Sequence, residues 1–326
     1  MKRRTLRIAV SMTLQERIVS TSHPGGTGII GQHTVARIGY GAMGLGHSLP
    51  HDDATAVLHR AVELGVNHID TASFYDDGVV NQRIRAALAP YREDLVIVSK
   101  VGARPATGPV PLALAQHPAD LRAAVELDLA GLGLDQIPVV NLRRADIGPG
   151  LTAEGDQIVD LDDQLAEMIA LRDEGKIGAI GISNVDLATL RRALPAGMVC
   201  VQNAYSLLNR DHEDELTLCR EEGIAWVPFF PLGSAFPGFP KVAENDVVQR
   251  VATDLGVSGA QVGLAWLLAH APNTLLIAGT TSVAHLEQNL AAGDVTLNEQ
   301  QLADLDAVAA ELPQGDGVQA FLDEGR

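Results

Sequence analysis

The chain has 326 residues, of which 46% are hydrophobic and 20% charged, so it can bury a large apolar core. Its 41 acidic and 24 basic side chains give a formal net charge of −17 at pH 7. That balance argues against a nucleic-acid or anionic-membrane partner, because both require a basic surface. Two cysteines, Cys200 and Cys219, are too few for a disulfide framework and lack metal-site spacing, so we expect buried free thiols and no metal.

The N-terminal segment begins with basic residues, but its pattern is not that of a signal sequence. Its apolar stretch is interrupted at Ser11 and Thr13, and no small-residue cleavage site follows. No later apolar run approaches the roughly 20 residues that cross a bilayer. We therefore expect residues 1–24 to be a poorly ordered extension, residues 25–326 to form one domain, and the protein to be cytoplasmic. The sequence does not indicate an oligomeric state.

Eight short runs of β-branched or apolar residues follow in chain order. They are VARIGYG (35–41), VNHIDTA (66–72), LVIVSKVG (95–102), IPVVNLR (137–143), IGAIGISN (177–184), MVCVQNAY (198–205), IAWVPFFPL (224–232) and TLLIAGTT (274–281). Amphipathic segments predicted to be helical alternate with them, at 53–64, 79–91, 119–131, 162–174, 186–194, 211–222, 245–271 and 282–292. Strict alternation of apolar strands with helices predicts a parallel sheet of the α/β class. Eight such units favour a single (β/α)8 TIM barrel over an open doubly wound sheet, and residues 297–312 predict a C-terminal accessory helix.

A glycine motif in the first run resembles a dinucleotide-binding fingerprint. Gly39, Gly41 and Gly44 have the G-x-G-x-x-G spacing. Such a fingerprint requires a helix that opens at the glycines and offers free N–H groups to a pyrophosphate. The next helical pattern begins only near Asp52, so we interpret the segment as a glycine-rich loop.

Three side chains near the ends of the second and third runs suggest carbonyl chemistry. Hydride transfer to a carbonyl builds negative charge on its oxygen, which then needs a proton donor. Tyr75 is a candidate donor, and a lysine ammonium such as Lys100 within about 4–6 Å would lower its pKa by roughly 1–3 units. Asp70 would keep that lysine charged and fixed. Singly, each residue also fits a structural role: a loop cap, a loop aromatic or a solvated charge.

Four segments together resemble the aldo/keto reductase family: HIDTASFY (68–75), VSKVG (98–102), GISN (181–184) and VQNAYS (201–206). The resemblance extends from about Gly26 to Glu311. It implies a (β/α)8 barrel that binds NADP(H) in an extended pose without a Rossmann domain. It also implies that Asp70, Tyr75 and Lys100 are three members of a catalytic tetrad.

The fourth member of that tetrad is normally a histidine, and Asn141 takes its place here. Asparagine can donate a hydrogen bond and orient a carbonyl, but it cannot shuttle a proton. The resemblance therefore leaves the fold unaffected and makes the reaction rate and the substrate class open questions.

The same resemblance implies a set of cofactor-binding residues. Ser183, Asn184 and Gln202 match residues that bind the nicotinamide carboxamide, and Phe229 matches the aromatic residue that stacks on the ring. Leu232 and Ser234 match pyrophosphate contacts. The adenosine-phosphate region corresponds to Gly279, Thr280, Thr281, Ser282, His285, Gln288 and Asn289, where His285 replaces the usual arginine. NADP(H) is the expected cofactor and a small carbonyl compound the expected substrate.

Within the family, IGYGAMGL (38–45), VVNLRR (139–144) and FFPLG (229–233) are most similar to the bacterial pyridoxal reductase group, which implies reduction of pyridoxal to pyridoxine. Because Asn141 replaces the histidine, a regulatory barrel that senses NADP(H) with little turnover, as in channel β subunits, is an alternative. A redox-neutral enzyme that uses bound cofactor transiently is a third. Arg143 and Arg144 fit either a solvated loop pair or a site for a substrate phosphate.

Overall fold

The computed structural model describes residues 23–107, 112–148, 151–233 and 240–308. The strands are β1 (Thr27–Ile30), β2 (His33–Ala36), β3 (Tyr40–Gly41), β4 (His68–Asp70), β5 (Val96–Val101), β6 (Ala103–Pro105), β7 (Leu112–Leu114), β8 (Ile137–Arg143), β9 (Ile177–Ser183), β10 (Met198–Gln202) and β11 (Ala225–Trp226). The helices are α1 (His51–Glu63), α2 (Val79–Leu88), α3 (Pro118–Leu132), α4 (Leu161–Asp173), α5 (Leu187–Ala193), α6 (Glu213–Glu221), α7 (Asp246–Leu255), α8 (Gly259–His270), α9 (Val283–Ala291) and α10 (Glu299–Val308). All but the last two residues of the predicted N-terminal extension lie outside the described residues.

Seven strands form one parallel sheet in the order β3-β4-β5-β8-β9-β10-β11. The predicted eighth run joins the two edges of this sheet through isolated bridges. Leu275 N donates to Trp226 O at 2.8 Å on one side, and Gly39 N donates to Leu276 O at 2.8 Å on the other. The arrangement is consistent with the predicted (β/α)8 barrel, although seven strands rather than eight belong to the sheet.

The strands carry apolar residues on both faces because each face is covered. Along β8, Val139 belongs to a cluster inside the barrel, whereas Val140 and Leu142 belong to the larger cluster beneath the helices. The antiparallel pair of β1 and β2 contributes Ile30 and Val35 to the inner cluster. This hairpin therefore closes the end of the barrel where the parallel strands begin. It also divides the first predicted run, which spans β2 and β3 rather than one strand.

The predicted helix over 245–271 is wrong as a single element. Gly256 adopts a left-handed conformation with φ of 67° and ends α7. Ser258 then starts α8 with a capping box, in which its side chain accepts from Gln261 N while the Gln261 side chain accepts from Ser258 N. Among the described residues no single helix is long and apolar enough to cross a membrane. The pair of α7 and α8 passes that test of length and composition only as a unit bent by 95°.

The accessory helix is observed as α10, against α7 and α8. Trp266 Nε1 donates to Asp306 Oδ1 at 2.9 Å. The last residues of the predicted segment, 309–312, lie outside the described residues.

Of the glycines expected to form a loop, Gly41 instead lies in β3 and serves strand packing. No helix opens at these glycines, since α1 begins ten residues after Gly41 at His51. A Cβ on Gly41 would lie 2.5 Å from Ile277 O, and a Cβ on Gly279 would lie 2.6 Å from Gly41 O. Real Cβ atoms essentially never come within 3.0 Å of such atoms. Glycine at both positions therefore lets the first and last strands meet where the barrel closes.

A buried polar network ties the ends of β4 and β5 to α2 and α3. Thr71 Oγ1 donates to Asn81 Oδ1 at 2.7 Å, and Asn81 Nδ2 donates to Asp128 Oδ1 at 2.7 Å. Ser99 Oγ donates to Asp128 Oδ2 at 2.7 Å. Burial raises the pKa of the Asp128 carboxyl to about 7, in opposition to these hydrogen bonds. Thr71 and Ser99 directly neighbour Asp70 and Lys100 in the chain, so the network fixes the backbone that carries both charged side chains.

We expect Gly41→Ala to lower the free energy of unfolding by about 1–3 kcal/mol, the usual range for an overpacked site. The added methyl group meets a backbone carbonyl, which cannot rotate away as a side chain can. Urea denaturation followed by circular dichroism measures the change. Gly148→Ala is the control, because a Cβ there has no atom within 4 Å. Equal stability of the two variants would contradict the close packing of the first and last strands at Gly41.

We expect the unfolding free energy of Asp128→Asn to depend less on pH than that of the wild type between about pH 4 and 7. In this window the folded Asp128 holds a proton that the unfolded chain has released, so wild-type stability decreases as pH rises, by up to about 1.4 kcal/mol per pH unit. Urea titrations at several pH values give the two slopes. Asp135→Asn, at an exposed position, should keep the wild-type slope. An unchanged slope for Asp128→Asn would refute the raised pKa.

Candidate active site

Polar side chains gather at the carboxyl ends of the parallel strands, where barrel chemistry is located. Asp70 ends β4, Ser183 ends β9 and Gln202 ends β10. The strand register places Lys100 on β5 opposite Asn141 on β8, and Gln202 opposite Ser183. The structure thus brings together all the predicted catalytic residues that lie on strands.

Lys100 and Asp70 form a buried ion pair at the centre of this group. Lys100 Nζ donates to Asp70 Oδ1 at 2.5 Å and to Thr71 O at 3.0 Å. Gln202 Nε2 donates to Asp70 Oδ2 at 2.7 Å, so both carboxylate oxygens have partners. Burial is the largest single influence and acts to lower the pKa of Lys100, but the charges of Asp70 and Tyr75 and the hydrogen bonds to both residues together hold the pKa above its usual value. Lys100 is therefore a fixed positive charge.

Tyr75 lies in the loop between β4 and α2, at the start of a tight turn. Asp76 and Asp77 both have positive φ, 49° and 55°, which non-glycine residues rarely adopt. Asp76 also accepts a hydrogen bond from His47 N, which fixes the turn to the loop after β3. In this conformation the Tyr75 ring centroid lies 4.9 Å from Lys100 Nζ. The predicted triad is thus assembled in space.

The expected direction of the Tyr75 pKa shift is wrong. Burial raises the pKa of the phenol, and the charge of Asp70 raises it further. The positive charges of Lys100 and Arg143 lower it without reversing the shift. The lysine is visible in the sequence, but the loss of hydration, which is the larger effect, depends on burial in three dimensions. Tyr75 is consequently protonated at neutral pH.

Asn141 lies fully buried beside this triad, and a cysteine orients its amide. Cys200 Sγ donates to Asn141 Oδ1 at 3.2 Å, while Asn141 Nδ2 has no partner among the described residues. A Cβ on Gly181 would overlap Asn141 Oδ1 and Cys200 Sγ, so only glycine leaves room for this contact. The amide thus keeps a free NH2 group, with both of its N–H donors, at the carboxyl end of the barrel.

The predicted carboxamide-binding residues occupy neighbouring strand ends and differ in their contacts. Gln202 is fully buried, and its Oε1 has no partner among the described residues. Asn184 has positive φ of 61°, and its Nδ2 donates to Ile147 O at 2.6 Å and to Arg144 O at 3.2 Å. Ser183 is buried next to it. Asn184 therefore holds the loop after β8, in addition to any role toward a ligand.

The free amide oxygen of Gln202 is complementary to an amide. A carboxamide offers N–H donors for Gln202 Oε1. That oxygen is buried, and a buried polar atom left without a partner costs about 1–3 kcal/mol. The residues present thus fit a nicotinamide group.

The remaining predicted cofactor residues lie on the loop after β11 and around the start of α9. Phe229 meets Phe230 edge to face, with ring centroids 5.0 Å apart, and Leu232 lies close to Gly263 of α8. Ser234 lies outside the described residues.

Near α9, Tyr40 Oη donates to Thr280 O at 2.6 Å, and Ser282 caps the helix by accepting from His285 N at 3.4 Å. Gly279, Thr281, His285 and Gln288 are exposed there, Thr280 is partly exposed and Asn289 is buried. Free N–H groups at a helix N-terminus favour a phosphate.

Sequence reasoning missed several residues that support this site. Cys200 was interpreted only as a buried thiol, and the partners of Asp128 carried no recognisable motif. The interpretation of Arg144 as a solvated residue is wrong, because its guanidinium is bonded to Asp146 at 2.7 Å through both Nε and Nη2. His68, beneath Asp70, has a pKa lowered to about 4 by burial and is therefore neutral. Among the residues described, no group of three or more His, Cys, Asp or Glu is placed to hold a metal ion.

Comparisons with known proteins identify the family of this chain. Residues 37–310 match the model of the aldo/keto reductase family. Pyridoxine 4-dehydrogenase of Escherichia coli (strain K12) is 42% identical over 290 residues, which cover 86% of this chain and 98% of the relative. An uncharacterized oxidoreductase of Schizosaccharomyces pombe is 34% identical over 306 residues, which cover 91% of this chain and 94% of that relative.

Solved structures extend the comparison to the fold. An aldo-keto reductase from Klebsiella pneumoniae in complex with NADPH superimposes with a TM-score of 0.73 at 26% identity, over 89% of this chain and 97% of that one. A thermostable aldo-keto reductase in complex with the inhibitor epalrestat gives a TM-score of 0.71 at 27% identity, over 86% of this chain and 99% of that one. From the family match and these relatives, the chain belongs to the aldo/keto reductase family of oxidoreductases.

Proposed function

We propose that this protein is an NADP(H)-dependent reductase of aldehydes, with pyridoxal, reduced to pyridoxine, as the first candidate substrate. The observation that carries the proposal is the placement of Tyr75 beside the buried Lys100–Asp70 pair, 4.9 Å from the ammonium. The name of the E. coli relative, a pyridoxine 4-dehydrogenase, supports the choice of substrate. Solved relatives with bound NADP and NADPH support the choice of cofactor.

The cofactor would supply the hydride, and this chain would hold it at three regions. Ser183, Asn184 and Gln202 would bind the carboxamide, and Phe229 would pack against the nicotinamide ring. Leu232 and Ser234 would contact the pyrophosphate. The adenosine phosphate would bind around the start of α9, at Gly279, Thr280, Thr281, Ser282, His285, Gln288 and Asn289.

Tyr75 would act as the proton donor to the carbonyl oxygen. Burial keeps the phenol protonated at neutral pH, which is the state that a reduction requires. When the proton leaves, Lys100 would stabilise the phenolate electrostatically. Asp70 holds Lys100 in place through a 2.5 Å contact. This contact would fix the distance between the ammonium of Lys100 and the phenolate of Tyr75. The same groups in reverse would accept a proton from an alcohol.

Asn141 would position the substrate. Its free Nδ2 lies on the inner face of β8 opposite Lys100, where it can donate to the carbonyl oxygen. It has no ionisable proton, so it would polarise the carbonyl without taking part in proton transfer. Asparagine in place of the usual histidine is also what favours the alternative of an NADP(H) sensor with little turnover.

The cytoplasmic location and the absence of nucleic-acid and membrane partners stay predictions from composition.

We expect the wild type to oxidise NADPH in the presence of pyridoxal, and Tyr75→Phe to lose about 10²- to 10⁴-fold of that rate, because the proton donor is absent. The assay is NADPH absorbance with pyridoxal, simple aldehydes and ketones measured side by side. Affinity for NADPH, measured by fluorescence, should stay close to that of the wild type. Retention of more than half the activity by Tyr75→Phe would exclude it as the donor. NADPH binding without turnover on any carbonyl would favour the sensor.

We expect Asn141→Ala to lower kcat/KM by roughly three- to twelve-fold, far less than Tyr75→Phe. The variant loses one neutral hydrogen bond, worth about 0.5–1.5 kcal/mol, and no proton donor. Both variants are measured with the same aldehyde. If Asn141→Ala falls to the level of Tyr75→Phe, then the asparagine does more than orient the carbonyl.

A further inference from the structure

We propose that Arg143 forms an anion subsite within the active site and selects carbonyl substrates that carry a negatively charged oxygen. The inference rests on the proposed function, because it names the class of aldehyde that the site would reduce.

Arg143 belongs to the inward-facing row of β8. Side chains alternate along a strand, so Val139, Asn141 and Arg143 share one face. Val139 lies in the cluster inside the barrel, whereas Val140 and Leu142 lie in the cluster outside it. Arg143 is thus the last inward residue of the strand, about 7 Å beyond Asn141 toward the open end.

The guanidinium of Arg143 has unused hydrogen-bonding capacity. Its Nη1 is buried without a partner, and no carboxylate pairs with it in the part of the chain that the structure describes. Arg144 differs completely: it binds Asp146 twice and also donates to Val159 O at 3.1 Å. The neighbouring arginine is therefore structural, while Arg143 has no partner among the described residues that would explain its charge.

An unpaired guanidinium in this position is costly without a ligand. Burial lowers the pKa of Arg143 below its usual value, yet an arginine stays charged at any physiological pH. Partly buried charges are normally compensated by an opposite charge. In a protein with a net charge of −17, a cation left without an acidic neighbour marks a place where an anion can bind.

Arg143 shares its space with the proposed proton donor. The charge of Arg143 lowers the pKa of Tyr75, and Tyr75 in turn raises the pKa of Arg143. The two groups are thus close enough to interact electrostatically. Lys100, the other cation beside Tyr75, is already held by Asp70 and Thr71 O. An anionic oxygen on a substrate whose carbonyl meets Tyr75 would therefore pair with Arg143 and not with Lys100.

The chemistry of the guanidinium defines the class of substrate. Its planar fork binds carboxylate, phosphate and similar oxygens through charge-assisted hydrogen bonds. Pyridoxal belongs to this class, because its ionised phenol oxygen lies beside the aldehyde. Neutral aldehydes lack such a group and would leave Arg143 unpaired.

The test compares matched aldehydes in wild type, Arg143→Gln and Arg143→Lys. One pair is pyridoxal and pyridine-4-carbaldehyde, and the other is 2-carboxybenzaldehyde and benzaldehyde. We expect Arg143→Gln to lower the anionic-to-neutral ratio of kcat/KM by about 10- to 100-fold, chiefly through KM, and Arg143→Lys to restore part of it. The pair with the larger change shows whether a phenolate or a carboxylate is preferred. Arg191→Gln, which removes an exposed charge on α5, is the control and should keep the wild-type ratio.

A second measurement needs no turnover. In the presence of NADP⁺, 2-carboxybenzaldehyde should raise the Tm of the wild type and not that of Arg143→Gln, whereas benzaldehyde should not distinguish the two. Without ligand, Arg143→Gln should not lower the Tm, because it removes an uncompensated charge, while Arg144→Gln should lose several degrees with its ion pair. An unchanged substrate ratio, or an equal loss of NADPH affinity with every substrate, would overturn the proposal. Absence of turnover with all aldehydes would instead count against the proposed function, and the Tm shift would still report on Arg143.

Discussion

The buried pair of Lys100 and Asp70 constrains the rest of the site. Two opposite charges removed from water are stable together only if their geometry is good and their remaining hydrogen-bonding capacity is satisfied. Here Thr71 O accepts a second hydrogen bond from the ammonium, and Gln202 Nε2 donates to the second carboxylate oxygen. These contacts join β4, β5 and β10 across the barrel, so the charges require a closed sheet in correct register.

The support for that pair extends outward, beyond the barrel wall. Thr71 and Ser99, on the opposite face of the strands, are held by Asn81 and Asp128 from two helices. A side chain that points inward and its chain neighbour that points outward are thus fixed by separate networks. Rigid backbone on both sides keeps Lys100 at one distance from Tyr75, which electrostatic stabilisation of a developing charge requires.

Much of this architecture follows from local sequence signals. Apolar runs alternating with helices predicted the barrel, and strand ends predicted the meeting of Asp70, Lys100 and Asn141. The contacts between individual side chains could not be predicted from these signals. The alternation of residues along a strand fixes the face on which a side chain lies but not the residue that it contacts. The contact of Cys200 with Asn141, the burial that raises the pKa of Tyr75 and the separate environments of Arg143 and Arg144 all depend on three-dimensional packing. Residues 245–271 were predicted as one helix, although Gly256 and Ser258 provided the signal for a break between α7 and α8.

The hairpin of β1 and β2 affects how ligands reach the barrel. With Ile30 and Val35 packed into the inner cluster, the end opposite the polar side chains is closed. In the part of the chain that the structure describes, the packed interior and the hairpin leave the end that carries the polar side chains as the side from which ligands would reach Tyr75. If both reactants enter from that side, whichever lies deeper must arrive first and depart last. Packing at the far end of the barrel thus bears on the order of kinetic steps without touching any reacting atom.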